Sequence, residues 1–218
     1  MATREPITKQ RILRAAVDIA DEDGVGKLTM RRIAERLGVE AMSLYHHVPT
    51  KSAILDGIVD EVFAEIGPPD TDLPWRESVR ECALRTREVL RSHRWAVVLM
   101  ESRAEPKGAS ATLRHHDAVI ACFRSGGFTL AHTALAFSVI DSYIYGFVLQ
   151  EVTLPFDSTG EIAAETEAML AAFPDGDPYP HLTELAVGHV MKPGYAYADE
   201  FTNGLDLILD GLARLVGD

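Results

Sequence analysis

The chain has 218 residues, 47% of them hydrophobic, enough apolar material to build a sizeable core in one large domain or two small ones. Its formal charge of -12 argues against a nucleic-acid partner only on average: residues 1–51 hold nine Lys or Arg against seven Asp or Glu, residues 52–218 twelve against twenty-six. Cys82 and Cys122 lack disulfide-framework or metal-type spacing, and the chain starts without a basic stretch leading into an apolar core, so a cytoplasmic protein is expected.

Ile12, Leu13, Ala16, Val17, Ile19 and Ala20 recur at helical spacing opposite Lys9, Arg11, Arg14 and Asp18, predicting a first helix between Ile7 and Asp23 that Gly24 stops. Thr29 is an N-cap for a second, short helix in which Ile33, Ala34 and Leu37 point inward, and Gly38 ends it in a left-handed position. A third helix, Val39 to Val48, sets Leu44 and Val48 one turn apart before Pro49 blocks it. Thr50 caps a fourth, striped by Ile54, Leu55, Ile58, Val59, Val62, Phe63 and Ile66. Gly67-Pro68-Pro69 then breaks the chain and marks the expected boundary between a domain of residues 1–66 and one of residues 67–218.

Pro74 opens a helix running to Arg94, and less regular segments follow through Ser110. Further helices are predicted from Ala111 to Arg124, ended by Gly126-Gly127, and from Thr129 to Val152. The stretch Leu130 to Leu149 approaches membrane-spanning length, but His132, Thr133, Ser138, Asp141 and Ser142 load it with polar groups, so it reads as a buried helix with no membrane partner. Ser158 and Glu161 have capping-box spacing for a helix to Phe173, interrupted by Pro174, Pro178 and Pro180. A short helix over His181 to Val190 precedes a last one striped by Phe201, Leu205, Ile208, Leu209, Leu212 and Leu215. No strand-like alternation persists, so the class is all-α.

Ala34, Gly38 and Leu44 meet in order the needs of a helix-turn-helix: a small residue for close approach, a turn glycine, and an apolar lock on the second helix. Helix pairs with a Gly turn also occur in proteins that read no DNA, and charge placement weighs between the two. Arg31 and Arg32 open the second helix and Lys51 the fourth, where the dipole disfavours cations by roughly 0.3–1 kcal/mol. A phosphate strand across both helix starts accounts for them, with solvated surface charge as the plain alternative. The third helix exposes Glu40, Ala41, Met42, Ser43, Tyr45, His46 and His47, a mixture suited to base edges. A packing role for Tyr45 and an exposed pair for His46 and His47 are the competing readings, and adjacent histidines on a helix point apart, so no metal site is expected.

The segment LTMRRIAERLGVEAMSLYHHVPTKSAILDGI resembles the DNA-binding domain of the tetracycline-repressor (TetR) family, closest to the tetracycline-repressor subgroup. The resemblance implies a small helix-turn-helix domain joined by the fourth helix to a larger helical domain that dimerises and binds an effector. It matches Arg31 to a base-contacting arginine, and Thr29, Ser43, Tyr45, His47 and Lys51 to positions contacting backbone or groove. His46 departs from the subgroup's tryptophan, and Ala41 and Met42 also differ, so the resemblance does not carry over the operator sequence.

LRSHR at Leu90 to Arg94 and FSVIDSYIYGFVLQE at Phe137 to Glu151 extend the resemblance more loosely. The helix from Thr129 is apolar nearly all round and calls for cover from its own domain and from a second subunit, with the last helix completing a four-helix dimer bundle. Met100, Ser138, Asp141, Ser142 and Tyr145 are the candidate effector-pocket residues: Ser138, Ser142 and Tyr145 put polar tips on an apolar surface, with an ordinary core role as the alternative for each, and Asp141 is either paired, exposed at the pocket wall or binding something polar. Met100 lies near the position of the subgroup's drug-metal histidine, so the expected effector is a small apolar or aromatic molecule rather than a metal chelate. No nucleophile elbow, phosphate loop or paired-carboxylate signature supports catalysis, and no cofactor or metal is expected. The expected function is a ligand-responsive homodimeric repressor on palindromic operator DNA. Its alternatives are an activator or constitutive regulator of the same kind, or a small-molecule-binding helical protein whose helix-turn-helix is incidental.

Overall fold

The computed structural model describes residues 6–101, 110–154, 159–173 and 179–216. Ser158, Pro174 and Pro178, used above as helix signals, lie outside them. Among the described residues there is no strand. Helices α1 (Lys9–Asp23), α2 (Met30–Leu37), α3 (Ala41–Tyr45) and α4 (Lys51–Ile66) lead into α5 (Trp75–Ser92), α6 (Ala96–Glu101), α7 (Ala111–Ser125) and α8 (Leu130–Thr153). Then come α9 (Thr159–Ala171), α10 (Pro180–Leu185) and α11 (Tyr197–Ala213).

Local chemistry explains the first four. The hydroxyls of Thr8, Thr29 and Thr50 accept from the backbone N–H three residues on, at 3.2, 3.2 and 3.0 Å, and so start α1, α2 and α4. Gly38 ends α2 at φ 66, its N–H bonding Glu35 O at 3.1 Å and that of Val39 reaching Ala34 O at 2.9 Å. Glu40 follows in the extended region at φ -74, ψ 139, so α3 starts at Ala41, later than the apolar spacing predicts. Ile12, Ile19, Leu28, Ile33, Leu44, Ile54 and Ile58 of this region are fully buried together. A Cβ on Gly57 would come within 2.5 Å of Leu13 Cδ2, so the bare glycine lets α4 lie close on α1.

The second half of α4 turns to a different core. Val62, Phe63 and Ile66 share a core with Phe128 of the α7–α8 turn and with Val79, Leu90, Phe123, Ile140, Val148, Phe201 and Leu205 of α5, α7, α8 and α11. Ion pairs tie α5 to the two last-named helices. Arg87 is bidentate on Glu151 at 2.9 and 2.5 Å, with both side chains 12% exposed, and Arg91 shares the same carboxylate at 3.1 Å. Arg80 grips Asp206 at 2.7 and 3.1 Å, and Arg76 bonds Asp210.

Three expectations shift. α5 stops at Ser92, because His93 leaves the helical region at φ -113, ψ 66. Only Pro180–Leu185 of the predicted short helix is α-helical, and Ala186–Val190 continues as a π turn. α8 is long and apolar enough to cross a membrane by length and composition, yet in the single chain it buries one stripe only: Thr133, Ala136, Ile140, Ile144 and Val148. Leu130, Leu135 and Leu149 stand exposed on other sides, as does Leu207 on α11.

Gly38→Ala should lower stability by about 1–2 kcal/mol in urea unfolding, since alanine pays for the left-handed conformation that glycine adopts freely. Glu151→Ala should cost about 3 kcal/mol by stranding Arg87, and replacing both partners with leucine should recover most of that loss.

Candidate nucleic-acid interface

Leu44 is fully buried and anchors α3, and around it the short helix shows what a packed helix would hide. Met42 is 71% exposed and Tyr45 43%, with His46 and His47 exposed and Ser43 half-buried. Exposed large side chains grouped on one five-residue helix are a surface built for contact. Thr29 sits exposed at the start of α2 and Lys51 at the start of α4; among the described residues Lys51 has no carboxylate partner.

The arginines of α2 divide. Arg31 is exposed, its Nε donating to Glu35 Oε1 one turn on at 2.8 Å, a bond that raises its pKa and holds the guanidinium on the outer face. Arg32 bonds instead to Asp23, and Arg36 to Glu22, with Nη1 to Oε1 at 3.0 Å. Arg32 thus differs from Arg31 and Lys51, with which its dipole-opposed position groups it: it pairs with an anion of another helix at the surface, and with Arg36 it fastens α2 to the acidic end of α1.

In the other half the five candidate pocket residues do not form one group. Met100 and Tyr145 are half-buried against the larger core, whereas Ser138 and Ser142 are exposed on α8. Asp141 is half-buried, and its charge bears on the Cys82 thiol of α5, which burial pushes up to about 11. Rings collect nearby that sequence spacing does not single out. His116 lies between Phe63 and Phe137, edge-on with centroids 5.3 Å from each, and burial lowers its pKa. His115 is buried, and burial outweighs the Gly67 carbonyl bond at 2.9 Å to lower its pKa as well.

His93 is the other group without a spacing signal. Its Nδ1 is 2.8 Å from Asp21 Oδ1 and its Nε2 is 3.1 Å from Glu65 Oε2, partners 72 and 28 residues away in the chain. Trp95 Nε1 donates to the same Asp21 oxygen at 2.6 Å. The signal available was the run Asp21-Glu22-Asp23, three anions at a helix C-terminus where the dipole disfavours them. Among the described residues no three His, Cys, Asp or Glu side chains are placed so that they could hold one metal ion.

Residues 12–58 match the description of bacterial regulatory proteins of the tetR family, and residues 68–216 the tetracyclin repressor-like C-terminal domain. An HTH-type transcriptional regulator of Saccharopolyspora erythraea is 33% identical over 99% of this chain and 88% of its own length. The HTH-type transcriptional repressor DrrR1 of Streptomyces coeruleorubidus is 31% identical over 96% of this chain and 78% of its own. Among solved structures, the TetR family protein ActR of Streptomyces coelicolor in complex with actinorhodin superposes with a TM-score of 0.78. It shares 26% identity and covers 98% of this chain and 100% of that one. With both halves of the fold matched in sequence and in shape, this chain belongs to the TetR family of bacterial transcriptional regulators.

Proposed function

We propose that this protein is a cytoplasmic repressor that binds a palindromic operator as a homodimer and lets go when a small apolar or aromatic molecule binds. Residues 1–66 form the reading head, and residues 67–218 bind the effector and dimerise. The observation that carries this is the exposed surface of α3, flanked by Arg31 and Lys51 at two helix starts. Arg31 reads a base, Thr29 and Lys51 hold phosphate, and Ser43, Tyr45, His46 and His47 set register and discriminate bases.

The relatives lend support in kind: DrrR1 is a repressor, and ActR has been seen with a small molecule bound. Dimerisation rests on Leu130, Leu135 and Leu149 of α8 and Leu207 of α11, which two copies would cover in a four-helix bundle. The aromatic nature of the effector rests on the Phe63, His116 and Phe137 rings, in a half of the chain whose core Met100 and Tyr145 also border. α4 contributes to both cores, so an effector that moves it would change the separation of the two recognition helices and shift the dimer population away from the DNA-competent state.

Duplexes selected from random DNA and titrated by fluorescence anisotropy supply the test. Arg31→Ala should cost roughly 1–3 kcal/mol and relax sequence preference at one position of each half-site. Lys51→Ala should weaken all sequences alike and flatten the salt dependence by about one phosphate contact. If both variants bound as the wild type does, the assignment of this surface to DNA would fail. A variant carrying Leu135→Glu and Leu207→Glu should elute as a monomer in light-scattering chromatography and lose operator binding; a persistent dimer would place the interface elsewhere.

A further inference from the structure

The three carboxylates that close α1 point two ways. Glu22 and Asp23 are matched by Arg36 and Arg32 of α2, within the reading head. Asp21 faces the C-terminal half, where it meets His93 and Trp95 at the junction of α5 and α6. Glu65, from the last turn of α4, closes on the opposite nitrogen of the same imidazole. His93 is 9% exposed and its ring lies 5.9 Å from that of Trp95.

This arrangement selects a protonation state. A neutral imidazole has one N–H and one lone pair, so between two carboxylates it can satisfy one and must turn a lone pair on the other. An imidazolium donates to both. The charged groups that act on the ring are Asp21 from α1 and Glu65 from α4, and among the described residues no cation opposes them. Burial disfavours the charge on His93, but the bonds to the two carboxylates outweigh it and raise its pKa above the ordinary histidine value.

We propose that His93 is a positioning residue of the reading head: as an imidazolium it seats the ends of α1 and α4 on the α5–α6 junction, and loss of its proton releases one of them. The name reading head rests on the function proposed above, but the seat itself is a property of the fold. Because the folded pKa is raised, the stabilisation is fully present below about pH 6.5, the unfolded value. It is lost as pH rises through the folded value. A regulator built this way couples the angle of its DNA-facing helices to proton activity, independently of any effector.

The test uses the full chain without DNA, so its failure and that of the DNA assignment are separate results. Nitrogen-15 NMR of the histidine rings should show both His93 nitrogens protonated at pH 6.5, with the ring titrating above that value; titration below it would overturn the proposal. Glu65→Gln supplies the control at a half-exposed site, because its amide can donate to neutral Nε2 while Nδ1–H stays on Asp21. Between pH 6 and pH 9 the wild type should lose about 2–4 °C of melting temperature relative to Glu65→Gln, with His46 and His47 common to both. Amide exchange in the last turns of α1 and α4, corrected for intrinsic rates, should quicken in step with the ring's titration in the wild type and not in the variant. Parallel melting curves, or exchange indifferent to the ring, would defeat the positioning role.

Discussion

Everything in this protein hangs on α4 belonging to two cores at once. Ile54 and Ile58 are buried with α1, α2 and α3, while Val62, Phe63 and Ile66, one or two turns on, are buried with α5, α7 and α8. A 16-residue helix anchored at both ends is a stiff connector about 24 Å long. The two clusters therefore cannot reorient without displacing buried side chains from one of them, and close packing makes such displacement a step between discrete arrangements. Gly57 sets how near α4 lies to α1, and His93 sets where its far end rests.

Charge in the N-terminal region follows from the same geometry. Anions at the end of α1 and cations at the start of α2 both oppose their helix dipoles, and Asp23 with Arg32 resolves the two misplacements by cancelling one against the other. What remains unmatched in this way is informative. Arg31 bonds only along its own helix, on the outer face, and Lys51 opens α4 into solvent. The overall acidity of the chain is spent largely in the C-terminal half, where Glu151, Asp206 and Asp210 hold α5 in place.

Apart from α6, which lies in a stretch read as irregular, helix placement was legible because it depends on neighbours within four residues: threonine caps, stop glycines and apolar stripes each act locally. Misses arose where distant chemistry intervened. α3 shortened because Glu40 stays extended after the Gly38 turn, and α5 ended early where His93 turns toward two carboxylates from other helices. The Asp23 partner of Arg32 escaped notice because the dipole rule sees one helix at a time and Asp23 lies nine residues back on another. Ser138 and Asp141 looked equivalent on an apolar helix, yet one is exposed and the other half-buried.

The sequence by itself determined the all-α class, the helix-turn-helix and its exposed α3, and the family to which the chain belongs, since these follow from periodicity, turn glycines and a contiguous motif. Only the tertiary structure decided which cations are internally matched, which face of α8 is left for another surface to cover, and that Asp21, Glu65 and His93 meet. Those outcomes depend on contacts between residues as much as 134 positions apart, and no local period encodes such pairs. They exist because α1, α4 and the α5–α6 junction converge on one point, and convergence is a property of packed helices rather than of any one of them.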